Sequence, residues 1–416
     1  MGFDSFEVEN GAPEKLQGKR NAVIMCWFLG LGSLLAWNSM ATINDYYYKV
    51  FPNYHPSRVL TLVYQPCALG TIAILAYNES LIDTRKRIIT GYSIYFISTL
   101  GCLLVFLASS GSNRVGPYIG LCILVGAFGV ADAFVQGGMC GDLAFMIPEL
   151  LQSFFAGLAA SGALTSVLRL VTKAAFDKSH DGLRKGALLF LAISTGIEFL
   201  CIFLYAYYFP KLPIVKYFRS KAASEGSKTV TADLAAAGIN QDDGAKVVDR
   251  FTLKQLLCQN WDYFLGLYLI YVLTLSIFPG FLYEDTGHHT LGAWYSIVLI
   301  AMYNVLDLVG RYTPLIKCLN LESRKGLMIA ILARFLFVPA FYFTAKYANE
   351  GWMIMLTSLL GFTNGHLTVC VMTAAPKGYK GPEQNALGNL LVLSLLGGIF
   401  SGVCLDWLWL IGNGSF

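Results

Sequence analysis

Charge is what this sequence has least of. Only 13% of its 416 residues are Asp, Glu, Lys or Arg, against 56% apolar, whereas soluble domains carry about 25% charged residues. A water-facing surface built from so few charges would expose apolar patches larger than soluble proteins tolerate. The length alone would permit two or three soluble domains; the composition excludes them and makes lipid the main solvent. A basic excess is missing too. Thirty Lys and Arg face 26 Asp and Glu, and the longest basic block is the triplet Arg85, Lys86 and Arg87, so no nucleic-acid partner is expected. The ten cysteines stand singly, most of them inside apolar runs (Cys26, Cys67, Cys102, Cys122, Cys140, Cys201, Cys370 and Cys404). With neither a CxxC nor a ligand spacing they read as small core residues, and neither a disulfide framework nor a metal site is expected. No Walker A loop, GxSxG elbow or HExxH occurs, nor an arginine-repeat voltage sensor or a TVGYG filter. ATP-driven pumping and hydrolysis lack their usual chemistry, no cofactor is called for, and a secondary carrier or passive facilitator remains.

Long apolar windows are what the sequence has instead. A helix needs about 20 mainly apolar residues to cross the hydrocarbon. Such windows fall at 21–43, 57–77, 88–109, 115–140, 150–173 and 186–210, then at 262–285, 292–316, 326–347, 351–374 and 384–411. The first follows Lys15, Lys19 and Arg20 like the h-region of a signal peptide, but its length and its Trp-Asn pair mark a retained helix. The expectation is an all-α integral membrane protein with eleven transmembrane helices. The interval 211–258 is rich in Ser, Lys, Asp, Gly and Ala and reads as a mobile linker. It divides the chain into a tail (1–20), a six-helix bundle (21–210), the linker, and a five-helix bundle (259–416), as expected for two bundles rocking about a central cavity. With the N-terminus cytoplasmic, inner segments hold 19 Lys and Arg and outer loops eight, despite the dissenting loop with Lys173, Lys178, Arg184 and Lys185. The positive-inside rule therefore puts the N-terminus and the linker in the cytoplasm and the C-terminus outside. Ser220, Ser224, Ser227 and Thr229 would make the linker a regulatory target, although a plain solvated tether is the favoured reading of them.

A charge at the membrane centre costs about 2.5–3.5 kcal/mol on insertion scales, so charges inside the windows mark function. These are Asp132, Arg169, Glu198, Asp307, Arg311 and Arg334, with His366 as a neutral companion. Asn304, Asp307 and Arg311 are spaced by three and four, so they share one helical face. They form either a self-neutralising ion pair or the lining of a cavity for a polar solute. Asp132 and Gln136 are likewise i and i+4, within a glycine-rich stretch suited to close helix packing. A rise of 1.5 Å per residue sets Asp132, Asp307 and His366 at similar depths, about 22 to 26 Å below the outer boundary. Arg169 falls near the outer end of its span. Arg334, in the inner half of its window, invites an acidic partner. Trp37 and Asn38 lie beyond the midplane of the first window, where an indole could anchor at the interface or stack on a flat solute. Tyr64 and Gln65 precede Pro66, and Phe278 precedes Pro279; such prolines free backbone carbonyls beside a pathway or merely kink a helix.

The motifs resemble one known family, the equilibrative nucleoside transporters, from the first window to the last, and their wording is similar to the plant branch. The resemblance is carried by Gly30, Gly32, Trp37 and Asn38 in the first helix, Phe278 and Pro279 in the seventh, and Asn304, Asp307 and Arg311 in the eighth. Ala333, Arg334, Val338 and Pro339 follow in the ninth, then Asn364, Gly365, Pro376, Lys377 and Glu383. It implies an eleven-helix fold like that of the major facilitators, in a 6+5 arrangement. It also implies transport of purine and pyrimidine nucleosides, such as adenosine and uridine, and sometimes of nucleobases. It surrounds the substrate with Leu34, Trp37, Gln136, Asp307 and Arg311. Asp307 and Arg311 would address the ribose hydroxyls and Gln136 the base edge. Asp132 stands where some members have a small residue.

Together these readings make Leu34, Trp37, Gln65, Asp132, Gln136, Phe278, Asn304, Asp307 and Arg311 the candidate substrate residues. Glu198, Arg334 and His366 are candidate proton-linked or gating residues. The expected activity is facilitative nucleoside transport by alternating access, with proton coupling left open, by a monomer in the plasma membrane. A carrier of nucleobases or other small polar solutes, a multi-span receptor that recruits partners through 211–258, and a lipid-modifying enzyme using His366 and Asp307 are the alternatives.

Overall fold

The computed structural model describes residues 18–406, apart from 44–45, 48–49, 52–53, 55, 109–114, 177–181, 240–249, 279–290 and 348. Every regular element among the described residues is helical, as lipid requires of chains that must satisfy their backbone groups internally. The first half contains α1 (Lys19–Thr42), α2 (Pro56–Tyr77), α3 (Thr84–Ala108), α4 (Val115–Ala144), α5 (Pro148–Phe176) and α6 (Gly182–Phe203). A π turn (Leu204–Tyr208) and a 3-10 turn (Phe209–Lys211) extend α6. Two short helices follow, α7 (Pro213–Ser224) and α8 (Thr231–Ala236), and then α9 (Leu253–Gln259). The second half contains α10 (Trp261–Leu275), α11 (Tyr295–Tyr312), α12 (Arg324–Lys346), α13 (Glu350–Ala374) and α14 (Gly381–Asp406).

Nine of these helices are long and apolar enough to cross a membrane among the described residues. The two remaining windows coincide with α10 and α11. The former has 15 described residues, and the window continues into residues outside the described set, Pro279 among them. The latter is diluted by Asn304, Asp307 and Arg311. Large aliphatic side chains on the bundle perimeter, such as Ile74, Ile97, Ile123 and Ile329, are more than 60% exposed. On a soluble protein such a surface would aggregate; in hydrocarbon it is the matched one. Within α12 the 3-10 turn Arg334–Leu336 sits immediately before Pro339. Proline has no N–H for the Phe335 carbonyl, and the tighter turn re-routes the backbone bonds there.

The two halves use the same packing scheme. In the first, α1 lies on α5 and α2 on α4; in the second, α10 lies on α14 and α11 on α13. Counted within each half, these are the first with the fifth helix and the second with the fourth, the pattern of an internal repeat. Glycine permits the closest of these crossings. A methyl group at Gly30 would strike the Phe154 carbonyl and one at Gly157 the Trp27 carbonyl, so α1 and α5 touch backbone to backbone. Gly310 and Gly365 do the same for α11 and α13, against Phe362 and Asp307. The halves meet where α5 packs on α11 and where α14 packs on α2 and α4.

The described part of 211–258, residues 211–239 and 250–258, is not the solvated tether that its composition suggested. At the end of the bundle where α1 begins, hereafter the near end, α7 buries Ile214, Val215, Phe218 and Ala222, and α8 buries Leu234. Thr84 N–H donates to the Thr229 carbonyl at 3.0 Å, fixing the turn between α7 and α8 to the start of α3. The short apolar stretches cannot span a membrane, but spaced at i, i+1 and i+4 they make one apolar face, and that face docks.

Candidate functional site

In the second half, α11 supplies a buried polar chain. Arg311 donates through Nε and Nη2 to Asp307 Oδ2, each at 3.0 Å, one helical turn apart. The other Asp307 oxygen accepts from Asn364 Nδ2 of α13 at 2.8 Å. Asn364 in turn accepts from Thr274 of α10 at 2.9 Å, and Arg334 donates to the same Thr274 hydroxyl at 2.8 Å. The remaining Arg334 bonds go to Thr363 Oγ1 and to the Ile270 and Leu360 carbonyls. Arg334 thus finds hydroxyls and carbonyls where the sequence invited a carboxylate, because the kinked α12 brings it to the α10 backbone. The Arg311 Nη1 atom crosses into the first half and donates to the Phe155 carbonyl at 2.7 Å, with the guanidinium over the Phe155 ring at 5.8 Å. Asp307 and Arg311 are therefore an ion pair, yet one that is bonded across both halves.

The first half supplies a second polar group and an aromatic stack. Asp132 Oδ1 accepts from Tyr95 of α3 at 3.0 Å and from Gln136 at 2.5 Å. The Tyr64 hydroxyl stands beside Asp132 and Tyr95, and the Tyr64 ring stacks on Trp37 with centroids 4.1 Å apart. Leu34, one turn before Trp37, is half-buried against the same core. Asn38 donates to Ser161 at 2.6 Å, and Asn304 reaches across from α11 to Ser166 at 2.8 Å. Phe278 stacks on Tyr303 at 3.9 Å.

The candidate residues thus fall into two groups, one per half, with Asn304 bridging them. Gln65 lines a shallow gap between α2 and α14 with Thr61 and Phe400. Glu198 accepts from Thr99 at 2.6 Å in the α3–α6 contact. His366 bonds Thr313 at 2.7 Å through Nδ1 and lies beside Cys370, toward the near end. The shared depth of Asp132, Asp307 and His366 did not translate into contact, since similar depth on different helices fixes no azimuth. Thr274, Tyr95 and Phe155 were not anticipated. Tyr95 and Thr99 share a face of α3 at i and i+4, a signal that polar-stripe reasoning could have used.

A third cluster at the near end was also missed. Arg219 of α7 is 1% exposed and grips Asp142 at the end of α4 through Nη2 at 2.5 Å and Nε at 3.2 Å. Its Nη1 faces Asp233 of α8 at 3.3 Å, Tyr205 completes the cage, and Arg85 approaches Asp233 from α3 at 3.7 Å. Burial opposes the Arg219 charge, but Asp142 and Asp233 outweigh it and hold the guanidinium above its ordinary range. Burial pushes Asp233 up to about 7, against the pull of Arg219. Around this cluster the near end is tied across the halves. Arg87 donates to Asn389 of α14 at 2.7 Å, Glu225 accepts from Gly381 N–H at 2.6 Å, and Glu79 pairs with Arg250 and Asn385. At the opposite end, Lys173 of α5 lies over the Trp294 ring at 5.0 Å.

Solved structures share the fold at low identity. A proton:xylose symporter of the major facilitator superfamily, XylE, superposes with a TM-score of 0.61 at 14% identity, covering 95% of this chain and 90% of that one. The E. coli fucose:proton symporter FucP gives 0.58 at 13%, covering 95% and 93%. Sequence relatives lie much nearer. The equilibrative nucleotide transporters 3 and 6 of Arabidopsis thaliana are 70% and 67% identical over 410 residues, each comparison covering 97% of this chain and 98% of the relative. Equilibrative nucleotide transporter 1 of the same plant is 33% identical, covering 94% and 86%. The model of the family described as "Nucleoside transporter" matches residues 122–411. A multi-pass helical protein with a major-facilitator fold, this chain belongs to the nucleoside transporter family.

Proposed function

We propose that the chain carries purine and pyrimidine nucleosides through eleven crossings by alternating access, with the near end in the cytoplasm and the far end outside the cell, as a monomer in the plasma membrane. The observation that carries this reading is the Asp307–Arg311–Asn364 chain, bonded into both halves at Phe155 and buried in a helix otherwise fit for lipid. A carboxylate and a guanidinium fixed one turn apart offer an acceptor and a donor at the spacing of two vicinal hydroxyls. Trp37 and Tyr64 supply a flat surface for a base, and Gln136 offers an amide for its edge. Neutral nucleosides suit this site better than nucleotides. Arg311 is engaged by Asp307 and Phe155 and Arg334 by carbonyls and hydroxyls, which leaves a phosphate dianion without a free partner among the residues so engaged.

The near-end ties describe a carrier shut on that side, with the second half held against the first by Arg87, Glu225 and Glu79. Reorientation would break these bonds and leave the α5–α11 contact as a pivot. Uptake of radiolabelled adenosine and uridine into transport-deficient cells tests the proposal, with labelled UMP and excess adenine as further arms. Saturable uptake of both nucleosides, with no UMP uptake, is expected; adenine outcompeting both would favour a nucleobase carrier. Equal uptake with and without the protein would sink the proposal. Arg311→Ala breaks a buried pair and strands Asp307, a loss of about 3–5 kcal/mol. It should abolish uptake with the protein still at the surface, and intact transport in that variant would remove Arg311 from the site.

A further inference from the structure

Two carboxyl groups of the first half are buried without a cation bonded to them. Asp132 is 1% exposed and Glu198 fully buried, and each keeps one oxygen, Asp132 Oδ2 and Glu198 Oε1, without a hydrogen-bond partner. The groups that face Asp132 are neutral: Tyr95 from α3, Gln136 from its own helix, and Tyr64 from α2. Arg87, two turns earlier on α3, directs its guanidinium to the carbonyls of Ala133 and Phe134 and to Asn389. The α14 helix brings Asn389, which carries no charge, and α1 reaches the group through Trp37 on Tyr64. The cations of α5, Arg169 and Lys173, belong to its far-end turns. Cys140 lies two turns along α4, and Glu198 stands beyond Tyr95.

An ionised carboxylate in this setting would cost several kcal/mol that no cation offsets and that the neutral donors Tyr95, Gln136 and Tyr64 offset only in part. The neutral acid costs far less, and the geometry assigns its proton. Two donors converge on Oδ1, which is therefore the carbonyl oxygen, and Oδ2 carries the hydrogen. Gln136 connects this acid to the solute, because an amide that turns to a base edge must loosen its bond to Asp132. Glu198 differs. Its neighbours are Thr99, Cys102 and Cys201 in the α3–α6 contact, and Tyr95 stands between it and Asp132, so Gln136 does not bond it.

We propose that Asp132 is a proton-binding site whose proton crosses with the solute, one per nucleoside, which departs from the facilitative expectation and rests on the transport reading above. With the near end shut, the Asp132 carboxylate takes a proton from far-side water. After reorientation the Oδ2–H bond breaks to near-side water, leaving the carboxylate to be reprotonated when the carrier returns. One charge moves inward per cycle, so a potential of 100 mV would drive about fifty-fold accumulation of a neutral nucleoside.

Proteoliposomes separate this inference from the reading on which it rests. Counterflow of labelled uridine reports transport alone. Accumulation driven by about pH 5.5 outside against about 7.5 inside, with entry of protons read by a trapped dye, reports coupling. The expected wild type shows counterflow, uridine-dependent acidification and gradient-driven accumulation. In Asp132→Asn the ratio of driven accumulation to counterflow should fall to one, in Asp132→Glu it should recover, and in Glu198→Gln it should stay as in the wild type. Counterflow without acidification would overturn the inference and leave the transport reading standing, as would an Asp132→Asn variant that still accumulates. Absence of counterflow would sink the transport reading. Infrared spectra of the purified protein then decide the proton by themselves: a protonated-carboxyl band lost in Asp132→Asn and kept in Glu198→Gln upholds the site, and an unchanged band refutes it.

Discussion

Replacing Arg219 with methionine removes the cation shared by Asp142 and Asp233. The side chain is 1% exposed, binds Asp142 through two nitrogens, faces Asp233 at 3.3 Å and lies over the Phe209 ring at 5.3 Å. Methionine fills much of the volume, so above about pH 7, where Asp233 is ionised, the loss is chiefly electrostatic: two buried carboxyl groups lose their counter-charge, with Arg85 near one of them only. Breaking a buried pair in this way costs about 3–5 kcal/mol, or roughly two to nearly four powers of ten in the ratio of docked to undocked α7 and α8. Hydrogen exchange across Thr231–Ala236, together with thermal unfolding in detergent, reads the change. The triple variant Arg219→Met, Asp142→Asn, Asp233→Asn should recover most of the stability, because an uncharged filling of a buried ion network is commonly neutral or better. Wild-type exchange in the single variant would refute the reasoning. So would a triple variant no better than the single one, since the loss would then be packing and not stranded charge.

Two further predictions concern the same end of the molecule. Glu225 accepts from the first N–H of α14 at 2.6 Å, a charge-assisted contact at a helix N-terminus worth about 0.3–2 kcal/mol. Glu225→Gln should therefore open the near end several-fold more often. Thiol labelling of Cys introduced at the buried Thr229, in a cysteine-free background, should quicken accordingly, and an unchanged rate would separate the strap from gating. Burial pushes the docked Asp233 up to about 7, so below that pH the docked form holds a proton that the undocked form has already lost above the ordinary Asp range. Docking is then firmest below the ordinary Asp range near pH 4 and weakens as pH rises through about 7. Corrected for the intrinsic rise of amide exchange with pH, opening at Thr231–Ala236 should become more frequent between about pH 4 and 7 and level off above, and a flat profile, or one unchanged in Asp233→Asn, would exclude the titration.

Much of the fold was legible because lipid enforces a crude rule on each segment separately. A window of about twenty apolar residues announces a helix whatever surrounds it, and most windows meet described helices within a few residues. The polar stripe on α11 was legible for a similar reason, since i and i+4 spacing fixes the Asp307–Arg311 contact within one helix. What joins the helices was not. Asn364 meets Asp307 because Gly310 and Gly365 let α11 and α13 touch, and Thr274 meets Arg334 because Pro339 forces a tight turn in α12. Each of these contacts depends on the azimuth of two helices, and periodicity constrains one helix at a time. The depth estimate failed for His366 on this account: it gave height without direction.

The strap at 213–239 was misread for a different physical reason. Composition counts Lys216, Arg219, Lys221 and Asp233 as solvating charges, and a segment with so many charges and no long apolar run reads as a tether. The inference assumes that each charge faces water. Arg219 and Asp233 instead face Asp142, which lies some eighty residues earlier at the end of a helix that otherwise reads as a membrane span. The tell-tale was on that helix. Asp142 is a second carboxylate on α4, beyond the nominal 115–140 window, and it needed a partner as much as Asp132 did. Two carboxylates on one apolar helix then received different partners: a guanidinium brought by a folded-back strap at the near end, and the neutral donors Tyr95 and Gln136, to which the proposal above adds a proton. The first is tied to Arg219 wherever the strap stays docked. The second has only neutral donors around it, and that asymmetry is why the proposed proton exchange is placed at Asp132 and not at Asp142.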